Sequence, residues 1–374
     1  MLTLGVSSCI YTLPESPEDA LDSATDSEAP HDPGCDDPSN LVGLSLFDAN
    51  GDEFDDSLLV HQNGAWCVAI NYGSGFRRQE RALVTPPADA SRFRYALGDL
   101  DGDGDTDLAW GQATEHNRYL DLSVALWEDG AWTPVSDAPV LTNTPSSDLC
   151  ALDELVIADL DGDGRDEIVV VDRDNVRWCA RTLSGETLGE EVVWFSGQGS
   201  DIAAALAGRV DGDDCDDLIG FYQPTTDRNL ESWMDGRWKI VGPSSEHPTA
   251  DCTPVGERDG AVNWRHGAED FGADAVYTAV QDVDGDRLGD ALYVNAVGEW
   301  HVARGSTASQ DWAFVADTAF TTSLGSDAEL FASGDLNGDG LTDLLQLDVA
   351  TGSFACALGG SVVLGVCDAG LFAL

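Results

Sequence analysis

One nine-residue pattern, Asp-x-Asp/Asn-Gly-Asp-x-x-x-Asp/Glu, recurs six times along this chain, once with its first residue changed. The windows begin at Asp48 (DANGDEFDD), Asp99 (DLDGDGDTD), Asp159 (DLDGDGRDE), Arg209 (RVDGDDCDD), Asp282 (DVDGDRLGD) and Asp335 (DLNGDGLTD), at spacings of 51, 60, 50, 73 and 53 residues. Glycine holds the fourth place in all six, as Gly51, Gly102, Gly162, Gly212, Gly285 and Gly338. Chance acidity does not place glycine so regularly. Internal repeats at this period denote one supersecondary unit per copy, each needing its neighbours to bury a core.

The spacing dictates the chemistry of each window. Carboxylates or amides at positions 1, 3, 5 and 9, with the main-chain carbonyl of position 7, can wrap one hard cation in oxygen donors. Calcium accepts six to eight such ligands at flexible angles, whereas magnesium demands a stricter octahedron. Glycine at position 4 permits a sharp turn without a Cβ clash. The expected calcium ligands are Asp48, Asn50, Asp52, Phe54 and Asp56 in the first loop, and Asp99, Asp101, Asp103, Asp105 and Asp107 in the second. They are Asp159, Asp161, Asp163, Arg165 and Glu167 in the third, and Asp282, Asp284, Asp286, Leu288 and Asp290 in the fifth. In the sixth they are Asp335, Asn337, Asp339, Leu341 and Asp343. The fourth loop, with Asp211, Asp213 and Asp217, is doubtful, because Arg209 puts a guanidinium where the first donor belongs. That arginine is expected to pair with Asp211 and Asp217 in place of the ion. About five Ca2+ sites follow.

Short apolar runs flank every loop, for example Leu155–Ala158 before the third and Ile168–Val171 after it. They are strand-length, rich in Val, Ile and Leu, and bounded by Gly and Asp. An EF-hand requires Gly at position 6, Glu at 12 and flanking helices, so these loops read as strand-to-strand turns. With its full Asp-x-Asp/Asn-Gly-Asp-Gly-x-x-Asp-Leu form at Asp99–Leu108 and Asp335–Leu344, the chain resembles the FG-GAP/VCBS repeat family, the repeat of integrin α-subunit propellers and many bacterial surface proteins. The resemblance spans about residues 41–374. It implies an all-β fold, a β-propeller with a calcium loop between the first and second strand of each blade. It leaves function open, since the fold serves adhesion, lectin, scaffold and enzyme roles.

Four strand-like runs can be read in each repeat; in the third they are Leu155–Ala158, Glu167–Val171, Val176–Arg181 and Glu191–Phe195. Six four-stranded blades are expected, at about 41–90, 91–148, 149–200, 201–272, 273–325 and 326–374. The long fourth interval leaves room for an insertion at 243–272 or for a seventh blade. Trp66, Trp127, Trp178, Trp233 and Trp300 fall on or beside third strands, where large rings are expected to fill the gap between neighbouring sheets.

Nine cysteines without a C-x-x-C point to an oxidising compartment. Proximity within and across blades pairs Cys35 with Cys67, Cys150 with Cys179, Cys215 with Cys252 and Cys356 with Cys367. The ninth, Cys9, ends the string Val6-Ser7-Ser8-Cys9, which resembles the end of a bacterial lipoprotein signal; residues 1–10 are then read as its remnant, with Cys9 the lipidated residue. Residues 11–40 carry nine acids, several prolines and no Lys or Arg, the composition of a disordered acidic tether.

The chain of 374 residues carries a formal net charge of −51, which excludes nucleic acid as a partner. The six loops hold −24 of it, the 11–40 segment −9 and the remaining body −18, so nearly half the excess is organised as candidate cation ligands. No run of apolar residues reaches transmembrane length, and no G-x-S-x-G, H-E-x-x-H or P-loop occurs. The insertion brings Trp264, Arg265 and His266 together and supplies the ligand-binding candidates. The resulting expectation is a monomeric, calcium-stabilised, non-enzymatic binding or adhesion module for protein or glycan, secreted or held on a bacterial surface by a lipid anchor. The alternative is a propeller-based carbohydrate-active enzyme, a polysaccharide lyase or hydrolase with structural calcium.

Overall fold

In a computed structural model every regular element is a β-strand, and among the described residues no helix is long and apolar enough to cross a membrane. The structure describes residues 35, 40–73, 75–84, 93–113, 120–128, 130–136, 139–142, 150–196, 202–210, 214–222, 237–241, 252, 271–272, 274–305, 315–324, 330–359 and 365–366. Cys9, the 11–40 tether apart from Cys35 and Asn40, Trp233, Trp264, Arg265, His266 and Cys367 lie outside them, as do Asp211 and Asp213 of the fourth loop.

Among the described residues the strands form one larger antiparallel sheet per repeat, six in all, and one separate two-stranded ribbon. Sheet one contains Leu41–Phe47, Asp56–His61, Ala65–Asn71 and Phe76–Val84, hydrogen-bonded in chain order. Sheet two contains Phe93–Gly98, Asp107–Ala113, Leu120–Glu128 and Ala131–Pro134, with Leu141–Thr142 also paired to the third strand. Sheet three runs Glu154–Ala158, Glu167–Asp172, Arg177–Arg181 and Val192–Ser196, with a small ribbon, Leu183–Ser184 and Thr187–Leu188, before the last strand. Sheet four shows three strands, Ala204–Gly208, Asp217–Tyr222 and Arg237–Val241. Sheet five has Ala275–Gln281, Asp290–Asn295, Glu299–Arg304 and Val315–Ser323, and sheet six has Leu330–Gly334, Asp343–Asp348, Ser353–Leu358 and Gly365–Val366.

Burial explains the apolar runs that follow each loop. The second strands Asp56–His61, Glu167–Asp172 and Asp217–Tyr222 are buried at every position, because a neighbouring sheet covers each face. A strand covered on both sides reads as a continuous apolar run rather than an alternation. First strands such as Phe93–Gly98 and Ala204–Gly208 are only half-buried throughout. They face a central cavity to which five of the six first strands contribute.

Each sheet shares a hydrophobic core with the next. Leu58 and Trp66 of sheet one meet Leu108 and Trp127 of sheet two. Sheets two and three share Leu122, Val124, Ile168 and Val170; sheets three and four share Val169, Trp178, Leu218 and Tyr222. Phe221 and Trp238 join Ala291 and Ala303 between sheets four and five, and Leu292 and Trp300 join Leu344 and Ala357 between five and six. The sixth core returns to the beginning, where Leu345, Leu347 and Phe354 pack with Leu44, Leu59 and Cys67. Among the described residues the cores thus link each sheet to the next and the sixth to the first, whose first strands touch directly.

Third-strand tryptophans sit in these junctions as expected, with Trp66, Trp178, Trp238 and Trp300 exposed by no more than 1%. In sheet four the buried ring among the described residues is Trp238, whose Nε1 donates to the Phe271 carbonyl at 2.9 Å, while the expected Trp233 lies outside them. Cys35 is bonded to Cys67, Cys150 to Cys179 and Cys215 to Cys252, as the spacing predicted. Cys356 is also disulfide-bonded.

Candidate functional site

The six acidic windows connect first to second strands, so all lie at one end of the ring. Their internal geometry repeats. The position-9 carboxylate opens each second strand and accepts the backbone N–H of position 2. These bonds join Ala49 to Asp56 (3.1 Å), Leu100 to Asp107 (2.9 Å), Leu160 to Glu167 (3.1 Å), Val210 to Asp217 (3.2 Å), Val283 to Asp290 (2.9 Å) and Leu336 to Asp343 (2.9 Å). The other oxygen is held from near the end of the third strand, by the N–H of Asn71, Trp127, Gly305 or Gly359, or by the Thr182 hydroxyl. The position-1 aspartate accepts the N–H of the position-4 glycine at 2.7–2.8 Å in the first, second, third, fifth and sixth loops.

The chain turns through the left-handed region twice in the first, second, third, fifth and sixth loops. Position 4 has φ between 72° and 81°, and position 6 has φ between 71° and 94°. Glycine supplies position 6 in three loops, but Glu53 and Arg287 occupy it in the first and fifth, with φ of 71° in both.

In three loops the carboxylate oxygens of positions 1, 3 and 9 lie within 4.8 Å of one another: Asp99, Asp101 and Asp107; Asp159, Asp161 and Glu167; Asp282, Asp284 and Asp290. Opposite ligands of a calcium ion stand about 5 Å apart, given Ca–O distances of about 2.3–2.6 Å, so each trio fits one central cation. The first and sixth loops place Asn50 and Asn337 at position 3, an amide oxygen for a carboxylate. Position-5 aspartates sit outside these trios; Asp103 and Asp163 each accept the N–H of position 7 at 2.9 Å.

The electrostatics call for positive charge. Burial raises the carboxyls of Asp56, Asp107, Glu167 and Asp290 to about 7 and that of Asp343 to about 8, and neighbouring loop aspartates add to the rise. The Arg304 guanidinium reaches Asp284 at 3.2 Å in the fifth loop. In the fourth loop Arg209 lies 3.6 Å from Asp216. This corrects the expected pairing with Asp217, whose carboxylate is turned inward to the Val210 N–H.

The loops are also joined to one another, which single repeats do not disclose. The N–H of position 8 donates to the position-1 carbonyl of the preceding loop: Asp55 to Asp335 (2.6 Å), Asp166 to Asp99 (2.7 Å), Asp216 to Asp159 (2.7 Å), Gly289 to Arg209 (2.5 Å) and Thr342 to Asp282 (2.9 Å). Where position 8 is aspartate, its carboxylate accepts the N–H of that same position-1 residue, at 2.6 Å from Asp335, 2.7 Å from Asp99 and 3.1 Å from Asp159. Burial lifts Asp55 to about 7 and Asp166 to about 6.

Position-7 side chains complete the interlock. A Cβ on Gly338 would meet Phe54 at 3.1 Å, on Gly102 Arg165 at 2.8 Å, and on Gly285 Leu341 at 2.8 Å. On Gly162 it would meet both sulfurs of the Cys215–Cys252 bond at 3.3 Å. Glycine at position 4 therefore serves the turn and the neighbouring loop together. Position 7 tolerates Phe, Arg, Cys and Leu because its side chain covers a neighbour, leaving its carbonyl for the loop.

No curated protein matches the chain by sequence. Among solved structures, a triple arginine-to-alanine mutant of AofleA from Arthrobotrys oligospora is 11% identical with a TM-score of 0.50, over 88% of each chain. An α-L-arabinofuranosidase from Fusarium graminearum, in complex with an iminosugar inhibitor, is 9% identical with a TM-score of 0.48, over 82% of this chain and 88% of its own. The SapL1 lectin in complex with α-methyl fucoside is 10% identical with a TM-score of 0.46, over 88% of this chain and 98% of its own. At such identities the likeness concerns the fold, which is all-β and propeller-like. Residues 48–110, from the first loop to the strand that follows the second, match the family model described as an FG-GAP-like repeat, and over that span the acidic repeat is an FG-GAP-like repeat.

Proposed function

We propose that this chain is a calcium-stabilised, six-bladed β-propeller that works outside the cell as a non-enzymatic binding module for a glycan or a protein. The observation that carries the reading is the trio of carboxylate oxygens within 4.8 Å in the second, third and fifth loops, each with a buried member. Desolvated like charges at that separation are costly unless a cation joins them. Side chains at positions 1, 3, 5 and 9, with the position-7 carbonyl, hold the ion in five loops, and Arg209 replaces it in the fourth. The ion supplies countercharge and fixes the loop. At millimolar calcium and affinities usual for extracellular modules, each site contributes about 1 kcal/mol by mass action.

Six sheets closed by six shared cores support six blades. The carboxylates are engaged by backbone donors and the cation rather than poised for proton transfer, which favours binding over catalysis. Three disulfides with both partners described suit an oxidising compartment, and residues 1–40 suit a lipid-anchored acidic tether. A glycan array probed in calcium and again in chelator tests the function. Calcium-dependent retention of a glycan class supports it; a blank array, with turnover of a polysaccharide in its place, overturns it.

A further inference from the structure

The first strands line an open cavity of about 440 Å³ that the calcium loops do not use. Its wall comes from the last turns of chain before the loops: Leu44–Leu46, Tyr95–Leu97, Leu206–Ala207, Tyr277–Gln281 and Ala332–Ser333. It therefore lies at the loop end of the ring. Its size falls within the range of about 300–1,000 Å³ typical of small-molecule sites.

The polar atoms of this wall are uncharged. Ser45 and Tyr95 share a hydroxyl–hydroxyl bond of 3.0 Å, and Tyr277 and Ser333 share another of 3.0 Å. Each such pair uses one proton internally and keeps one O–H and several lone pairs, so it can both donate to and accept from a visitor. Gln281 donates its amide to the Ser333 carbonyl at 3.3 Å, while its buried Oε1 has no hydrogen-bond partner among the described residues. That oxygen calls for a donor. The phenols stay protonated, since burial pushes Tyr277 up to about 12 and Tyr95 upward as well. Both rings are braced from behind, Tyr95 against Trp66 with centroids 5.2 Å apart and Tyr277 against Trp300 at 5.6 Å.

We infer that this central cavity binds a small neutral polyol of monosaccharide size through the Ser45–Tyr95 and Tyr277–Ser333 hydroxyl pairs and Gln281. Sugar hydroxyls donate and accept at once, as these pairs do, and Gln281 Oε1, closed off from the cavity as it stands, meets a ligand O–H when its amide turns toward that space. Anions are repelled at the mouth, where the loops carry −24 without metal and about −14 with five calcium ions bound. A cation finds no countercharge in the wall and is better held by the loops. The inference rests on the carbohydrate side of the binding reading above and assigns it a place.

Saturation-transfer NMR in millimolar calcium tests it, with L-fucose, D-mannose, D-galactose and myo-inositol as neutral probes and D-glucuronate and D-glucosamine as charged ones. At least one neutral probe is expected to bind, glucuronate not to bind, and Gln281→Leu and Tyr277→Phe each to weaken binding at least tenfold. Melting of both variants within about 3 °C of the parent in calcium secures the fold; where one melts lower, the other carries the comparison. Neutral binding that both variants leave unchanged overturns the cavity as the site while sparing the carbohydrate reading. Preference for glucosamine overturns the neutral class. No response to any probe overturns the inference, and a blank glycan array beside it removes the carbohydrate reading too.

Discussion

Gly98 tests the junction between neighbouring loops more sharply than any metal ligand does. It ends the first strand of sheet two, immediately before Asp99, and a Cβ built there runs into Ile157 Cγ2 and Asp166 Oδ2 of sheet three. Asp166 Oδ2 is the atom that accepts the Asp99 N–H at 2.7 Å. Gly98→Ala must therefore displace a packed isoleucine, an overpacking cost of about 1–3 kcal/mol. It must also lengthen a hydrogen bond to a carboxylate, worth about 1.5–3 kcal/mol. Together these amount to about 2.5–6 kcal/mol, or a fall of about 5–12 °C in melting temperature at about 2 °C per kcal/mol. Differential scanning calorimetry in saturating calcium measures it, with Gly104→Ala as control. Gly104 has open space around its Cβ but a φ of 94°, so alanine there meets backbone strain alone, about 1–2 kcal/mol. Because Asp166 is one of the two obstacles, Asp166→Ala in the Gly98→Ala background should cost less than it does alone. A Gly98→Ala protein that melts within 1 °C of the parent, or strictly additive effects with Asp166→Ala, would refute the latch.

Three further outcomes follow from the same geometry. Asp56, Asp107, Glu167, Asp290 and Asp343 have folded-state values near 7–8 against ordinary ones near 4, so the metal-free folded chain binds more protons than the unfolded one across that window. Stability of the chelated protein must then fall as pH rises from about 4 to about 8; melting in EDTA should be higher at pH 5.5 than at pH 8, and the opposite order would contradict it. Arg209→Asp restores a donor at position 1 of the fourth loop and should raise bound calcium by one equivalent in native mass spectrometry, while an unchanged count would show that more than Arg209 excludes the ion. Glu53→Gly and Arg287→Gly relieve left-handed backbone with φ of 71° and should each stabilise by about 1 kcal/mol in thermal melts, with no gain counting against the strain.

The parts of this architecture written within one repeat were readable from the sequence. The loop pattern fixed where first strands end and second strands begin, so Leu155–Ala158 was found as Glu154–Ala158 and Glu167–Val171 as Glu167–Asp172. Relations between repeats were not readable. Position 8, which is Asp55, Thr106, Asp166, Asp216, Gly289 and Thr342 in turn, looks like noise until it is set against the preceding loop. There Asp55 and Asp166 face Gly334 and Gly98, where a Cβ would meet the carboxylate; Ala158 stands at the same place before Asp159, where the bond to Asp216 is longer, at 3.1 Å. The position-6 glycine of the full motif was legible in the second and sixth loops, but not that Glu53 and Arg287 adopt the same left-handed backbone in its place. The buried Trp238 was not singled out because the long fourth interval removes the fixed distance from loop to third strand. The central cavity has no sequence signal, since residues such as Ser45, Tyr95 and Gln281 come from separate first strands and converge only when the ring closes.

The central claim is that the acidic repeats are calcium loops holding the ring together. Native mass spectrometry of the chain, stripped with chelator and then titrated with calcium alone, tests it most directly when the same samples are melted in parallel. Five bound ions are predicted, with a melting temperature that falls sharply on chelation and recovers on titration. A count of none or one, or melting that does not move when calcium is removed, would contradict it.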